Sequence, residues 1–376
     1  MKIAVVHNLP AGGQKRALYE QVKRLSKRYK IDLFTLSTAD EKYLPLRPFI
    51  DKHVVVEYFP PPKFPKSVLS IYKELPVKYM ELADLVNTGG YDLAFVQPCY
   101  LTQAPYILQY LKIPSLYSCP EPKREFYEKI PRVSNKLTYA LTYPFRKPLK
   151  RIDFENTIRA SKVVTLSKYS QDRLRKVYHI EPLLNYLGVD ITLFKPINVS
   201  IDNLVITVGS LSLHKGHDFL IRSLGKIDHA IRPTLLIVGP VGVEIKYLLK
   251  LSKDYGVNCE IVNNLPDNEL VVWLNKAKIF LGGAINEPFG LAILEALSCG
   301  TYVLAVGEGG VTEIIENKDL GLLTIRDENE FARKITQILM SKNQTDKNYM
   351  HEYIKKRWSW DISVRNLEKI MKEMVI

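Results

Sequence analysis

At 376 residues the chain is too long for one ordinary hydrophobic core, and its length predicts two domains of about 150 to 200 residues. An apolar content of 46% is that of a globular protein, no apolar run approaches the ~18 residues that span a bilayer, and residues 3–6 are too short for a signal peptide, so a cytoplasmic protein is expected. The net charge of +13 is uneven: residues 1–196 hold 32 Lys and Arg against 18 Asp and Glu, yet no helix-turn-helix, zinc-finger or RNA-binding signature accompanies the excess, which argues against a nucleic-acid partner.

Residues 2–7 read as a buried parallel strand and 14–29 as an amphipathic helix with a Lys/Arg face. Between them Gly12 and Gly13 allow a tight turn and close backbone approach to a diphosphate or an acceptor. Further strands are expected at 31–36, 54–58, 93–96 and 162–166, with helices at 75–86 and 170–178. Within this half, residues 129–152 carry Lys129, Arg132, Lys136, Arg146, Lys147, Lys150 and Arg151 and no acid, interleaved with Leu137, Tyr139, Leu141, Tyr143 and Phe145. Cations mixed with aromatics suit an anionic membrane surface or a lipid diphosphate. An ordinary solvated helix pair broken at Pro144 and Pro148 accounts for the same residues.

Residues 188–196 mark a junction, followed by a polar linker at 198–203. Strands at 204–208, 234–238, 260–262, 279–281 and 302–305 then alternate with helices at 219–224, 245–255, 267–276 and 291–298. Short apolar strands alternating with helices imply parallel sheets covered on both faces. Trp358, Trp360, Val364, Leu367, Ile370 and Met371 give the tail an apolar helical face. Cys99, Cys119, Cys259 and Cys299 are far apart in sequence, with neither a Cys-x-x-Cys nor a His at zinc spacing, and read as reduced thiols.

The stretch 287–295 carries two carboxylates around an apolar helical pattern. Pro288 suits the first position of a helix and puts Glu287 at or just before its start, with the N–H groups of Phe289, Gly290 and Leu291 in the unpaired first turn. Glu295 then lies about 12 Å along and roughly 80° around the axis from Glu287. That is near the separation of sugar and ribose in a nucleotide sugar. On spacing alone a capped helix with a solvated carboxylate is the plainer reading, and Lys215 by itself is a solvated loop lysine.

Taken together, Gly12–Gly13, the segment 208–221 with Gly209, Lys215 and Gly216, the 287–295 stretch and Gly309–Gly310 resemble the retaining glycosyltransferases of group 1 (family 4). The resemblance covers essentially the whole chain and is strongest over 204–325. It implies the GT-B fold, an α/β architecture of two Rossmann-like parallel-sheet domains facing across an interdomain cleft. The first would be an acceptor-binding domain at 1–195 and the second a nucleotide-sugar domain at 196–350, with a helix at 351–376 crossing back to the first. The resemblance implies a sugar transferred, with retention, from a nucleotide-diphosphate donor of UDP or GDP type to a lipid-linked or polysaccharide acceptor, by an enzyme peripheral to the inner face of the cell membrane. Glu287 would face the donor sugar, Glu295 would accept the ribose hydroxyls, and Lys215 would hold the diphosphate. Gly12, Gly13, Ser210, Phe289, Gly290 and Leu291 would complete the donor site, and the base would sit near 238–240 and 264–266. No metal or other cofactor is expected, since the resembling enzymes hold the diphosphate without one and the chain has no Asp-x-Asp.

Two departures stand out. Ser210 occupies the place of an Arg that the resembling enzymes use on the diphosphate, leaving Lys15 or Arg16 as substitute cations. Pro120 replaces a His that contacts the donor sugar near C6, which points to a 6-deoxy or otherwise modified sugar, or to a realigned loop in which Glu121 or Arg124 touches ligand. His7 and His217 are expected to face the cleft, though lone histidines are more often structural. A sugar-nucleotide epimerase of the same fold and a non-catalytic sugar-nucleotide or glycan-binding module are the competing readings.

Overall fold

The computed structural model describes residues 1–128, 136–240, 242, 244–263, 265–341 and 346–375. Lys129, Arg132, the side chain of Lys136, and Asn264 beside the expected base pocket lie outside the described residues. Two compact units divide the chain, one formed by Met1–Tyr186 with Trp360–Ile376 and the other by Leu187–Ser359.

In the first unit seven strands, β1 (Lys2–Asn8), β2 (Lys30–Leu36), β3 (Lys52–Val56), β4 (Leu93–Cys99), β5 (Ser115–Ser118), β6 (Lys162–Thr165) and β7 (Leu183–Leu184), form a parallel sheet in the order β3-β2-β1-β4-β5-β6-β7. Successive residues of a strand point to opposite faces, so residues 3–6 of β1 are all apolar because both faces are covered. Ala4 and Val6 pack with Leu75, Tyr79, Leu82 and Val86 of the helix Lys66–Thr88. Ile3 and Val5 pack instead with Leu18, Val22 and Leu25 of the helix Gly13–Leu25. That second face also takes Val364, Leu367, Ile370 and Met371 of the terminal helix Trp360–Val375. At about 1.5–3 kcal/mol for each buried side chain, the terminal helix is an integral layer of this unit.

The second unit repeats the plan with β8 (Leu204–Val208), β9 (Thr234–Val238), β10 (Cys259–Val262), β11 (Ile279–Gly282), β12 (Val303–Val306) and β13 (Gly321–Thr324), ordered β10-β9-β8-β11-β12-β13 and again parallel. Helices His217–Gly225 and Glu328–Met340 cover one face, where the rings of Phe219 and Phe331 meet edge-on at 5.1 Å.

The division between units falls at 186/187 rather than 195/196. The junction is held by polar side chains of the second unit: Asn275 Nδ2 donates to the Lys195 carbonyl at 3.1 Å, and Ser298 Oγ to that of Phe194 at 2.5 Å. The expected linker is therefore part of that unit, with the Ile197 N–H donating to Asn275 Oδ1 at 3.0 Å. At the other end the helix Lys347–Trp358 stays with the second unit and only Trp360 onward joins the first, so the second break is at 359/360 rather than 350/351. The basic stretch contains helices Lys136–Arg146 and Pro148–Thr157 with a single break, since Pro144 is accommodated inside the first helix and Pro148 starts the second.

Strand order reverses direction beside β1 and again beside β8. In open parallel sheets ligands bind beyond the carboxyl ends of the strands at such points. The loops after β1 and β4, and those after β8 and β11, are thereby singled out.

Candidate functional site

In the second unit the loop after β8 runs from Gly209 to Gly216, where φ of 65° turns the chain into the helix His217–Gly225. A Cβ at Gly216 would stand 2.0 Å from the Gly283 carbonyl oxygen, so glycine is required for the loops after β8 and β11 to cross. The Ile285 N–H donates to the His214 carbonyl at 2.8 Å, which aligns the two loops side by side.

Beyond Ile285 the chain does not enter a helix at Pro288. Glu287 pairs with Gly309 in a parallel bridge, and its carbonyl accepts the Gly310 N–H at 2.8 Å. Gly290, at φ 120°, then turns the chain into the helix Leu291–Ser298. The start expected from Pro288 is thus corrected by three residues, while the helix expected at 291–298 is found there: the bridge occupies the Glu287 backbone, and only glycine tolerates the φ that the turn requires. Of Phe289, Gly290 and Leu291, only Leu291 lies in the helical first turn; Gly290 is its cap and Phe289 is buried against Trp358, ring centroids 5.7 Å apart.

This geometry brings Lys215 and Glu287 together. Lys215 Nζ lies 2.8 Å from Glu287 Oε2, and the two side chains are 31% and 20% exposed. A partly exposed pair is worth only about 0.2–1 kcal/mol, so the ammonium can exchange this carboxylate for another anion at little cost. Glu295 is buried on its helix. Burial first, and then the Glu295 charge, push the Cys299 thiol up. Ser210 Oγ pairs with Ser212 Oγ at 3.3 Å, and the Ser210 carbonyl accepts from His217 Nε2 at 3.1 Å. His217 is buried and desolvation lowers its pKa to about 4, so at neutral pH it is an uncharged brace for the loop.

Sequence reasoning missed Arg326 and Glu308. Arg326 Nη1 donates to the Gly283 carbonyl at 2.9 Å and Nη2 to that of Ala284 at 2.8 Å, while Nε and Nη2 grip Glu308 at 2.9 and 2.8 Å. The guanidinium also lies over the Phe219 ring, 5.3 Å from its centroid. One planar fork therefore fixes the loop that carries Glu287. The readable signal is an Arg just past β13 and a Glu just past the neighbouring β12, a relation that depends on strand order.

In the first unit Gly12, at φ 149°, caps the helix Gly13–Leu25, and a Cβ there would meet nothing within 4 Å. Glycine is therefore present for its backbone angle and leaves open space beside the helix start. Gln14 Nε2 donates to Gln97 Oε1 at 3.0 Å and Ser118 Oγ at 3.3 Å, tying that start to β4 and β5. Lys15 does not serve as a spare cation. Its fully buried side chain is ion-paired to Glu41, which also meets His7 Nε2 at 2.9 Å and accepts the Leu46 N–H at 3.0 Å. Burial lowers the Lys15 pKa and takes that of His7 to about 4; Glu41 is raised by burial, but its hydrogen bonds to His7 and Lys15 prevail and bring it to about 2. Arg16 donates to Tyr43 Oη at 3.0 Å. Glu121 and Arg124 pair with each other at 2.6 Å in the loop and short helix after β5, and Arg124 reaches Glu128 at 3.4 Å. The two units thus hold two clusters, with Lys215, Glu287, Ser210 and Gly290 in one and Gly12 and Gly13 in the other.

Two parallel Rossmann-like sheets, each with a switch point, define the class of fold, GT-B. Sucrose-phosphate synthase from Thermosynechococcus elongatus aligns at a TM-score of 0.80 over 99% of this chain and 98% of its own, at 20% identity. Anabaena Alr3699/HepE, solved with UDP-glucose, aligns at 0.77 over 99% and 100%, at 19% identity. At this identity the likeness is one of fold. Residues 191–357 match the family model described as glycosyl transferases group 1. Among curated proteins it is 27% identical over 184 residues to a phosphatidylinositol N-acetylglucosaminyltransferase component of Arabidopsis thaliana, covering 47% of this chain and 41% of the relative. It is 25% identical over 350 residues to the GDP-Man:Man(3)GlcNAc(2)-PP-Dol alpha-1,2-mannosyltransferase of Xenopus laevis, covering 80% and 71%. The chain thus spans less than half the length of the plant relative.

Proposed function

We propose that the protein transfers a sugar, with retention of configuration, from a nucleoside-diphosphate donor to a lipid-linked or polysaccharide glycan. The observation that carries this reading is the Lys215–Glu287 pair, 2.8 Å apart, set by loops at the carboxyl ends of the adjacent strands β8 and β11. A donor diphosphate takes the Lys215 ammonium, which offsets the charge developing on the leaving nucleotide. Glu287, released from the pair, orients sugar hydroxyls and stabilises oxocarbenium-like positive charge at the reacting carbon. The acceptor hydroxyl attacks from the face that the diphosphate leaves, passing its proton to a donor phosphate oxygen, so no protein nucleophile is required. Glu295 holds the ribose. No metal takes part in this scheme, because Lys215 and the start of the helix Leu291–Ser298 supply the positive potential.

Support comes from the family match, from a relative that acts with GDP-Man on a PP-Dol-linked glycan, and from a fold neighbour solved with UDP-glucose. Pro120, in place of a sugar-contacting His, favours a donor altered at C6. An acceptor of this kind suits a cytoplasmic enzyme at the inner face of the cell membrane.

Thermal-shift screening against uridine and guanosine diphosphates and their sugars, with Glu295→Ala as control, tests the assignment. Stabilisation by one base series, lost in the control, is expected, together with slow donor hydrolysis. Release of a rearranged nucleotide sugar without acceptor would make the protein an epimerase. Nucleotide binding with neither hydrolysis nor transfer would make it a binding module.

A further inference from the structure

The first unit leaves a band of apolar side chains in solvent. On the helix Lys136–Arg146, Leu137 and Leu141 are 71% and 67% exposed and Phe145 is also exposed. Their four-residue spacing sets them along one stripe. The stripe continues onto a second element that the basic run of 129–152 does not reveal. The Phe145 ring meets that of exposed Phe64 edge-on at 5.0 Å, and Tyr72 Oη donates to the Phe145 carbonyl at 2.6 Å, which brings the beginning of the helix Lys66–Thr88, with exposed Leu69, alongside.

Cations frame both elements. Lys63, Lys66 and Lys73 are exposed on one, and Lys147, Lys150 and Arg151 on the other. Of the acids nearby, Glu155 is paired with Arg151 at 2.6 Å, Glu74 accepts from Ser70 at 2.8 Å and Asp153 is buried. Two copies meeting through this face would set lysines against lysines. An anionic bilayer offers the complement to both features, acyl chains for the rings and leucines and head groups for the ammonium groups around them.

We propose that this two-element face, Leu137–Leu141–Phe145 with Phe64–Leu69, seats the protein on an anionic lipid surface. The helix is also tied to the candidate acceptor segment, because Arg146 is ion-paired with Glu125, one residue beyond Arg124. Docking would therefore present the Glu121–Arg124 loop near the head groups. This last step rests on the lipid-linked acceptor proposed above; the docking itself is read from the surface alone.

Co-sedimentation of the full chain with phosphatidylcholine vesicles, alone or mixed with phosphatidylglycerol, is the test. Binding about ten-fold stronger to the mixed vesicles, and weakened by salt, is expected. The double variants Leu137→Asp/Leu141→Asp and Lys66→Glu/Lys147→Glu should each remove most of it. These are surface residues, and an unchanged unfolding transition of the first unit will show that the variants remain folded. Equal binding to neutral vesicles, binding indifferent to both variants, or a dimer dissociated by the Asp pair would overturn the proposal. Vesicle binding needs no donor, so its failure is separable from failure of the transferase reading, which nucleotide binding and hydrolysis report.

Discussion

The Lys215–Glu287 contact makes a resting pair from the two side chains that the proposed mechanism separates. Because such a pair is weak, its loss should scarcely affect folding while its partners matter differently to the ligand. Glu287→Gln is expected to lower transfer by at least about a hundred-fold and leave nucleoside-diphosphate affinity within a few-fold, measured by steady-state kinetics and calorimetric titration. Joint loss of both would reassign Glu287 to donor binding. At this scale the sequence is most legible where a residue sits in a motif, as Lys215 and Glu287 do. It is least legible where partners come from distant strands. Lys15 looks like a spare cation, yet Glu41 neutralises it from 26 positions away, and nothing in local spacing announces that contact. Arg326 is the sharper case. Replacing it with Ala removes two bonds to backbone carbonyls and a bidentate carboxylate; at about 1.5–3 kcal/mol for a bond to a charged group, kcat/KM should fall roughly ten- to a hundred-fold. Arg326→Lys should recover little of this, since an ammonium cannot reproduce the fork. Full rescue by Lys would mean that charge alone is needed.

Helix and strand boundaries follow backbone chemistry that side-chain patterns only partly reveal. Strands β8, β9, β11 and β12 are continuous apolar runs and are readable as such. β5 and β13 are not, because four-residue strands such as Ser-Leu-Tyr-Ser and Gly-Leu-Leu-Thr carry too few apolar positions to stand out from a loop. Pro288 suggests a helix start, but the bridge from Glu287 to Gly309 competes for the same backbone and Gly290 opens the helix instead. Gly290→Ala would place a side chain at φ 120°, at a cost of about 1–3 kcal/mol. The variant should lower the melting temperature and weaken donor binding together, because Leu291 and Glu295 ride on the helix that moves. The loop after β1 makes a pH prediction. His7 has an unfolded pKa near 6.5 and a folded value near 4, so it remains neutral when folded while the unfolded chain takes up a proton. Its contribution is complete above pH 6.5 and is lost as pH falls towards 4. This amounts to about 3 kcal/mol by linkage. Glu41, held near 2 instead of 4.5, extends the loss to lower pH in the same direction. Denaturant titrations of His7→Gln should show a flatter acid limb between pH 6.5 and 4; an unchanged slope would mean that His7 is not held neutral.

Each unit has its own sheet and its own apolar clusters, and the chain passes between them at 186/187 and again at 359/360. That two-domain plan is legible from length and from the repeated alternation of strand and helix. The crossing points are not, because the junction residues 187–197 look like linker and are fixed only by Asn275 and Ser298, which the fold brings to them. Separate cores make separate unfolding transitions the expectation, and a ligand that binds one native unit should raise only that unit's transition. A nucleoside diphosphate at a hundred times its dissociation constant stabilises its host by about 2.7 kcal/mol. Scanning calorimetry should therefore resolve two transitions, of which the nucleotide raises the one assigned to Leu187–Ser359. Trp273 and Trp358 lie in that unit and Trp360 in the other, so fluorescence of Trp360→Phe reports the second unit alone and makes the assignment independent of the ligand. A shift of both transitions by equal amounts would mean that the stabilisation is not confined to Leu187–Ser359. A shift confined to the transition silent in that variant would place the donor in the first unit and reverse the assignment of roles.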